Sequence, residues 1–155
     1  MEITALIAQH IIDVHEGDNW TDVNIENTLK DVSFQEAVTQ TPASVNTIAS
    51  ILYHITFYNE NMLERLQGKV PHINDANGFD MPELKDGAAW EELKERNIAS
   101  ARRLAEASLN VPLSKLDQPI LPGYSSIYKS LHGIAEHGHY HLGQIVLLKN
   151  LIRNK

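Results

Sequence analysis

Apolar residues along the chain recur mainly at helical spacing, and no stretch shows a strand pattern. Ile3, Leu6, Ile7, His10, Ile11 and Val14 form one stripe, which predicts a first helix from about Ile3 to His15. Glu16-Gly17-Asp18 ends it, glycine being the usual punctuation after a helix. A long polar connection follows, with a short helical piece expected around Asn24 to Leu29; in a compact domain such a connection often covers a site. Thr41-Pro42 reads as the start of helix 2, a capping hydroxyl followed by proline at the first helical position. Ile48, Ile51, Leu52, Ile55, Tyr58, Met62 and Leu66 carry that helix to Gly68. Pro71, Gly78 and Pro82 make Lys69 to Asp86 a loop. Asp86 can cap helix 3, from about Ala88 to Ser108 through Trp90, Leu93, Ile98 and Leu104. A proline-rich loop then leads to Ser125 or Ser126, either of which can cap a fourth helix reaching about Ile152. The expected fold class is all-α: a four-helix bundle with long connections, forming a single domain over 1–155.

Composition narrows the function. The 155 residues suit one core, and no apolar run is long enough to span a bilayer. The N-terminal MEITALIAQHII lacks a basic leader region and reads as the start of a helix, so a cytoplasmic location is expected. Without cysteine the chain has no disulfide, thiolate ligand or cysteine nucleophile, and any borderline metal must use histidine. The formal net charge of −7 and the scattered basic residues argue against nucleic acid as a partner.

Eight histidines are present, and His132, His137, His139 and His141 lie within ten residues. At about 100° per residue, His137 and His141 sit about 40° apart on a helix, whereas His132 and His139 fall near the opposite side. The usable pair is therefore His137 with His141, two imidazoles one turn apart on the apolar face. Burying both side by side wastes hydrogen-bonding capacity unless one ion satisfies them; the bland alternative is two core histidines bonded to carbonyls or water. A third ligand must come from another helix. His54 and His10 both lie in helical stripes, and periodicity does not choose between them. His15 and His72 are expected to be solvated or locally bonded.

Two other metal chemistries drop out. A zincin places glutamate directly after the first histidine of the pair, where this chain has Gly138. A ferritin-like di-iron site needs two Glu-x-x-His motifs; only Glu136 and His139 have that spacing, and His139 faces away. Gly133, Gly138 and Gly143 interrupt the last helix at roughly 1 kcal/mol each, either as tolerated cost, or to admit a neighbouring helix or leave room near the histidines. Leu131, Ala135, Leu142 and Val146 give that helix a second apolar side, so it is central or at a subunit interface.

The segment LHGIAEHGHYHLGQIVLLKN, Leu131 to Asn150, resembles the last helix of DinB-family proteins through Leu131, His132, Ile134, His137, Tyr140, His141, Gly143, Gln144 and Ile145. The likeness extends to EGDNW at Glu16 to Trp20, to SILYHITFYNENMLERLQG at Ser50 to Gly68 and to Trp90. The resemblance implies a four-helix bundle, often dimeric, that holds a divalent ion through one histidine of helix 2 and two of helix 4. Carried over residue by residue, these are His54, His137 and His141, with His10 left as a pocket or supporting residue. Zinc or nickel is the expected ion, since imidazoles suit borderline metals.

Three histidines leave a coordination position open, as in catalytic zinc sites. Family members include bacillithiol transferases and mycothiol-dependent maleylpyruvate isomerase, so the resemblance implies a metal-dependent thiol transferase. Its partners would be a low-molecular-weight thiol and a small-molecule substrate, in a homodimer. The competing readings are a non-catalytic metal-binding or stress-response bundle with a structural ion, and a bundle with structural histidines only. No catalytic residue is assigned: Glu136 and Tyr140 are near in sequence, but Glu136 points about 100° from His137.

Overall fold

A computed structural model describes residues 2–154. Among them are α1 (Ile3–His15), α2 (Ile25–Leu29), α3 (Phe34–Val38), α4 (Ile48–Leu66), α5 (Gly87–Leu109) and α6 (Ile127–Arg153), with a 3-10 turn at Leu113–Lys115. No strand occurs among the described residues, only isolated bridges at Thr41–Ser44 and Pro119–Ser126. The four long helices form the bundle. α1 and α4 each pack against both α5 and α6, so the order around the bundle is α1, α5, α4, α6. No helix among the described residues is long and apolar enough to cross a membrane.

Most ends follow local chemistry. Asn24, Asp86 and Ser126 cap α2, α5 and α6, their side chains accepting from the first-turn N–H groups of Asn27, Ala89 and Lys129. At the end of α4, Gly68 takes φ +79°, and the Lys69 and Gly68 N–H groups donate to the Glu64 and Arg65 carbonyls, closing the helix in a Schellman motif.

The predicted start of helix 2 is wrong. Thr41-Pro42 does not open a helix; it forms a turn in which the Ser44 N–H donates to the Thr41 carbonyl. Proline is equally suited to the second position of a tight turn and to the first of a helix, so local sequence alone misleads here. α4 begins six residues later than Pro42, where Thr47 and Ser50 exchange side-chain and backbone hydrogen bonds in a capping box. α3 lies outside the predicted elements, although Ser33 and Glu36 show the same motif with its usual residue types.

The core divides into two apolar clusters. One gathers Val14, Ile25, Leu29, Ile48, Leu52, Ile55, Trp90, Leu142 and Ile145. The other gathers Ile7, Ile11, Met62, Ala101, Leu104, Leu116, Leu131 and Ile134. A buried polar chain ties α1, α4 and α5 together. Asn59 donates to His15 Nε2 and to Ser100 Oγ, Ser100 donates to the Asn97 carbonyl, and Asn97 donates to Thr56 Oγ1. His15, predicted to be solvated or local, is 1% exposed, and its Nδ1–H donates to the Ile11 carbonyl. The stripe of α1 turns His15 inward with Ile11 and Val14, and Asn59 of α4 meets its second nitrogen; helix-end position gives no hint of that partner.

The second apolar side of the last helix is also accounted for. Leu131, Ala135 and Leu142 are buried and Val146 packs on the first cluster, so both sides of α6 serve the bundle interior. α6 is a central helix, and these residues leave nothing for a partner to cover.

Candidate metal centre

α4 carries His54 three residues after Ile51 and directly before Ile55, on the side that packs against α6. α6 supplies His137 and His141 one turn apart. His54 and His141 are 3% and 7% exposed, and His137 is half-buried.

One ligand nitrogen from each of these three residues can be chosen so that all lie within 4.8 Å of one another. His54 Nε2 is 3.0 Å from His137 Nε2. The three ring centroids are 4.5 to 4.9 Å apart. Two nitrogens bound at zinc-like lengths on a tetrahedral ion stand about 3.3 Å apart, so the spacing suits one shared ion.

The outer nitrogens carry the second half of the argument. His54 Nδ1 lies 2.9 Å from the Asn77 carbonyl oxygen, which can only accept, so Nδ1 holds the proton and Nε2 presents a lone pair. Gln144 Oε1 accepts from His141 Nδ1 at 2.7 Å, with the same consequence. Tying one ring nitrogen to an oxygen fixes the tautomer of a ligating histidine. The electrostatics agree. Burial and the neighbouring His141 push the His54 pKa down to about 4, against the opposing pull of the Asn77 carbonyl. Burial, His141 and His54 push His137 down to about 3, and burial lowers His141. All three are neutral at pH 7, the form that binds a metal.

Aromatic groups line two sides. Phe79 stacks on the His54 ring at 4.0 Å, and Tyr58 lies 4.8 Å from His137 between ring centroids. Tyr140 meets His141 edge-on but is 66% exposed. Sequence reading misses Tyr58, Asn77 and Phe79 as neighbours of the site. The Asn77-Gly78 dipeptide is a turn signal, but nothing local shows where that turn lands.

The other histidines go elsewhere. His10 stands 5.7 Å from His132 and 6.0 Å from His139 between ring centroids, on the α1 side of α6, so it does not join the three-histidine group. Glu136 is exposed and lies 3.4 Å from His132 Nε2. His72 is exposed in the loop after α4. Of the segments that carried the family resemblance, Trp90 is buried and donates to the Val32 carbonyl, whereas Trp20 is 98% exposed.

No curated protein and no solved structure matches the chain. A family model described as the DinB superfamily matches residues 18–145. That span contains His54, His137 and His141, and together with the helical bundle it shows that the chain belongs to the DinB superfamily.

Proposed function

We propose that His54, His137 and His141 hold one divalent ion, zinc or nickel, and that the protein is a metal-dependent thiol transferase. The observation that carries the metal reading is the convergence of three neutral imidazoles, two with their outer nitrogens tied to oxygen acceptors. Three imidazoles are a borderline donor set, which suits zinc and nickel. An ion held this way with an open position supplies Lewis acidity, lowering the pKa of a bound thiol or water. The chain's own residues do the rest: the three histidines bind, while Asn77 and Gln144 orient two of them. The thiol and the small-molecule substrate come from outside, since the chain has no cysteine.

A second reading makes the ion a pin between α4 and α6. The deep burial of His54 and His141 and the Phe79 ring over His54 favour it. Cobalt-substituted protein separates the two. Under the transferase reading, adding a small thiol produces a sulfur-to-metal charge-transfer band, which the His54→Ala variant loses along with the metal. Cobalt bound at the three histidines but spectrally indifferent to every thiol tested would leave the structural ion as the better account.

We expect the protein to act in the cytoplasm as a homodimer. Ile3, Leu6, Trp20 and Tyr128 are exposed along the α1 and α6 side and offer apolar area for a second copy.

A further inference from the structure

The loop between α4 and α5 places a tight turn against the histidine cluster. The Phe79 N–H donates to the Ala76 carbonyl at 2.9 Å, closing a four-residue turn. Its two central residues, Asn77 and Gly78, have φ of +53° and +76°. Two successive positive φ values make a type I′ turn, for which Asn-Gly is the favoured pair. Glycine is needed at position 78 for a second reason: a Cβ there would come 2.5 Å from Phe57 Cδ1.

Three separate contacts run from this turn to the site. The Asn77 carbonyl accepts from His54 Nδ1, the Phe79 ring stacks on the His54 imidazole with planes 12° apart, and the Tyr58 hydroxyl donates to Asn77 Oδ1. Tyr58 in turn meets His54 at 4.9 Å between ring centroids. His54 is thus held on its outer nitrogen, against one ring face and beside a second aromatic ring, by one turn and the tyrosine bonded to it. His141 takes its corresponding bond from Gln144 on its own helix.

From this geometry we infer that the Ala76–Phe79 turn is a positioning element that presets His54 as an Nε2 ligand before any ion arrives. The inference rests on the metal reading above and deepens it. Asn77, Gly78 and Phe79 are positioning residues: they act through His54 and touch no reacting atom. Groups that orient a ligating histidine typically contribute about 10–100-fold to metal affinity.

The test compares two glycines with similar backbones. Gly68, at φ +79°, lies at the far end of α4 with nothing near its Cβ position, and Gly78 lies at the site. Alanine strains the backbone at either position, but only at Gly78 would its Cβ also press on a neighbour, the Phe57 ring packed against the turn. Zinc affinity is measured by chelator competition on full-length protein, with far-UV circular dichroism as a check on folding. The His54 tautomer is read in metal-free protein from imidazole nitrogen-15 correlation spectra. Gly78→Ala should weaken zinc at least about 10-fold and lose the Nδ1–H tautomer, while Gly68→Ala keeps both. Equal zinc affinities in the two variants overturn the inference and leave the metal reading standing. A wild type that binds no zinc overturns the metal reading and, with it, the ligand role of the turn. If Gly78→Ala does not fold, Phe79→Ala replaces it: a several-fold loss of zinc affinity supports the inference, and unchanged affinity overturns it.

Discussion

The residue scale is where imidazoles acquire distinct roles. His137, His139 and His141 lie within five positions of one helix, yet His137 and His141 meet His54 while His139 meets His10. Helical geometry alone separates them. His141→Ala should therefore lower zinc occupancy sharply, measured by elemental analysis of untagged protein, and His139→Ala should leave it near wild type. Equal occupancy in the two variants would defeat the helical-face argument. His139 has its own peculiarity: its Nε2 is buried and has no hydrogen-bond partner among the described residues. Burial and the nearby His10 lower its pKa, which keeps the ring neutral.

At the scale of elements, α6 shows how a helix serves two neighbours. One side meets α4 at the histidines, and another meets α1 at Gly138, where a Cβ would stand 2.8 Å from Val14 Cγ1. Among the described residues, Gly133 and Gly143 have nothing within 4 Å of their Cβ positions. Of the three interruptions, only Gly138 admits a neighbouring helix. Gly138→Ala should accordingly lower stability by up to about 2 kcal/mol in urea unfolding, because an overpacking cost of about 1–3 kcal/mol exceeds the roughly 1 kcal/mol gained in helix propensity. Gly143→Ala should be neutral or stabilising by up to about 1 kcal/mol. A stabilising Gly138→Ala would show that α1 yields freely.

The whole molecule responds to pH through its buried histidines. Burial holds the folded-state pKa of His15 down to about 4, against an ordinary value of 6.5. Between these values the unfolded chain binds more protons than the native one, so stability falls as pH falls. The slope from this group is about 1.4 kcal/mol per pH unit, and it levels off below the folded pKa. His54 and His137 act in the same direction. Metal-free protein should thus lose stability in urea titrations taken from about pH 7 down to about pH 4.5; a rise over that interval would contradict the buried neutral His15. Assembly belongs to this scale too. Light scattering at micromolar concentration should report twice the 17.4 kDa chain mass, and a monomer alone would remove the dimer.

Helical periodicity, capping residues and the absence of cysteine were enough to set the fold class and the four long helices, and to leave histidine as the candidate ligand for a borderline metal. Spacing along α6 also picked out His137 with His141, because a helix converts sequence separation directly into angle. The third candidate ligand was different. His54 and His10 had equal standing in their stripes, and resemblance, not periodicity, favoured His54. Tertiary structure set them apart by packing α4 and α1 on different sides of α6. The same limit explains the other misses. Thr41-Pro42 satisfies two local rules at once, and Thr47 with Ser50 prevails as the cap that the packed helix uses. His15 makes the local bond expected of it, to Ile11, but its burial and its second partner Asn59, 44 residues away, are not legible at a helix end. Asn77-Gly78 announces a turn from two residues, but that the turn's carbonyl reaches His54, 23 residues earlier, depends on how the whole loop folds back. Backbone geometry makes short-range relations legible in sequence; contacts between elements follow from packing the assembled helices, which no local pattern encodes.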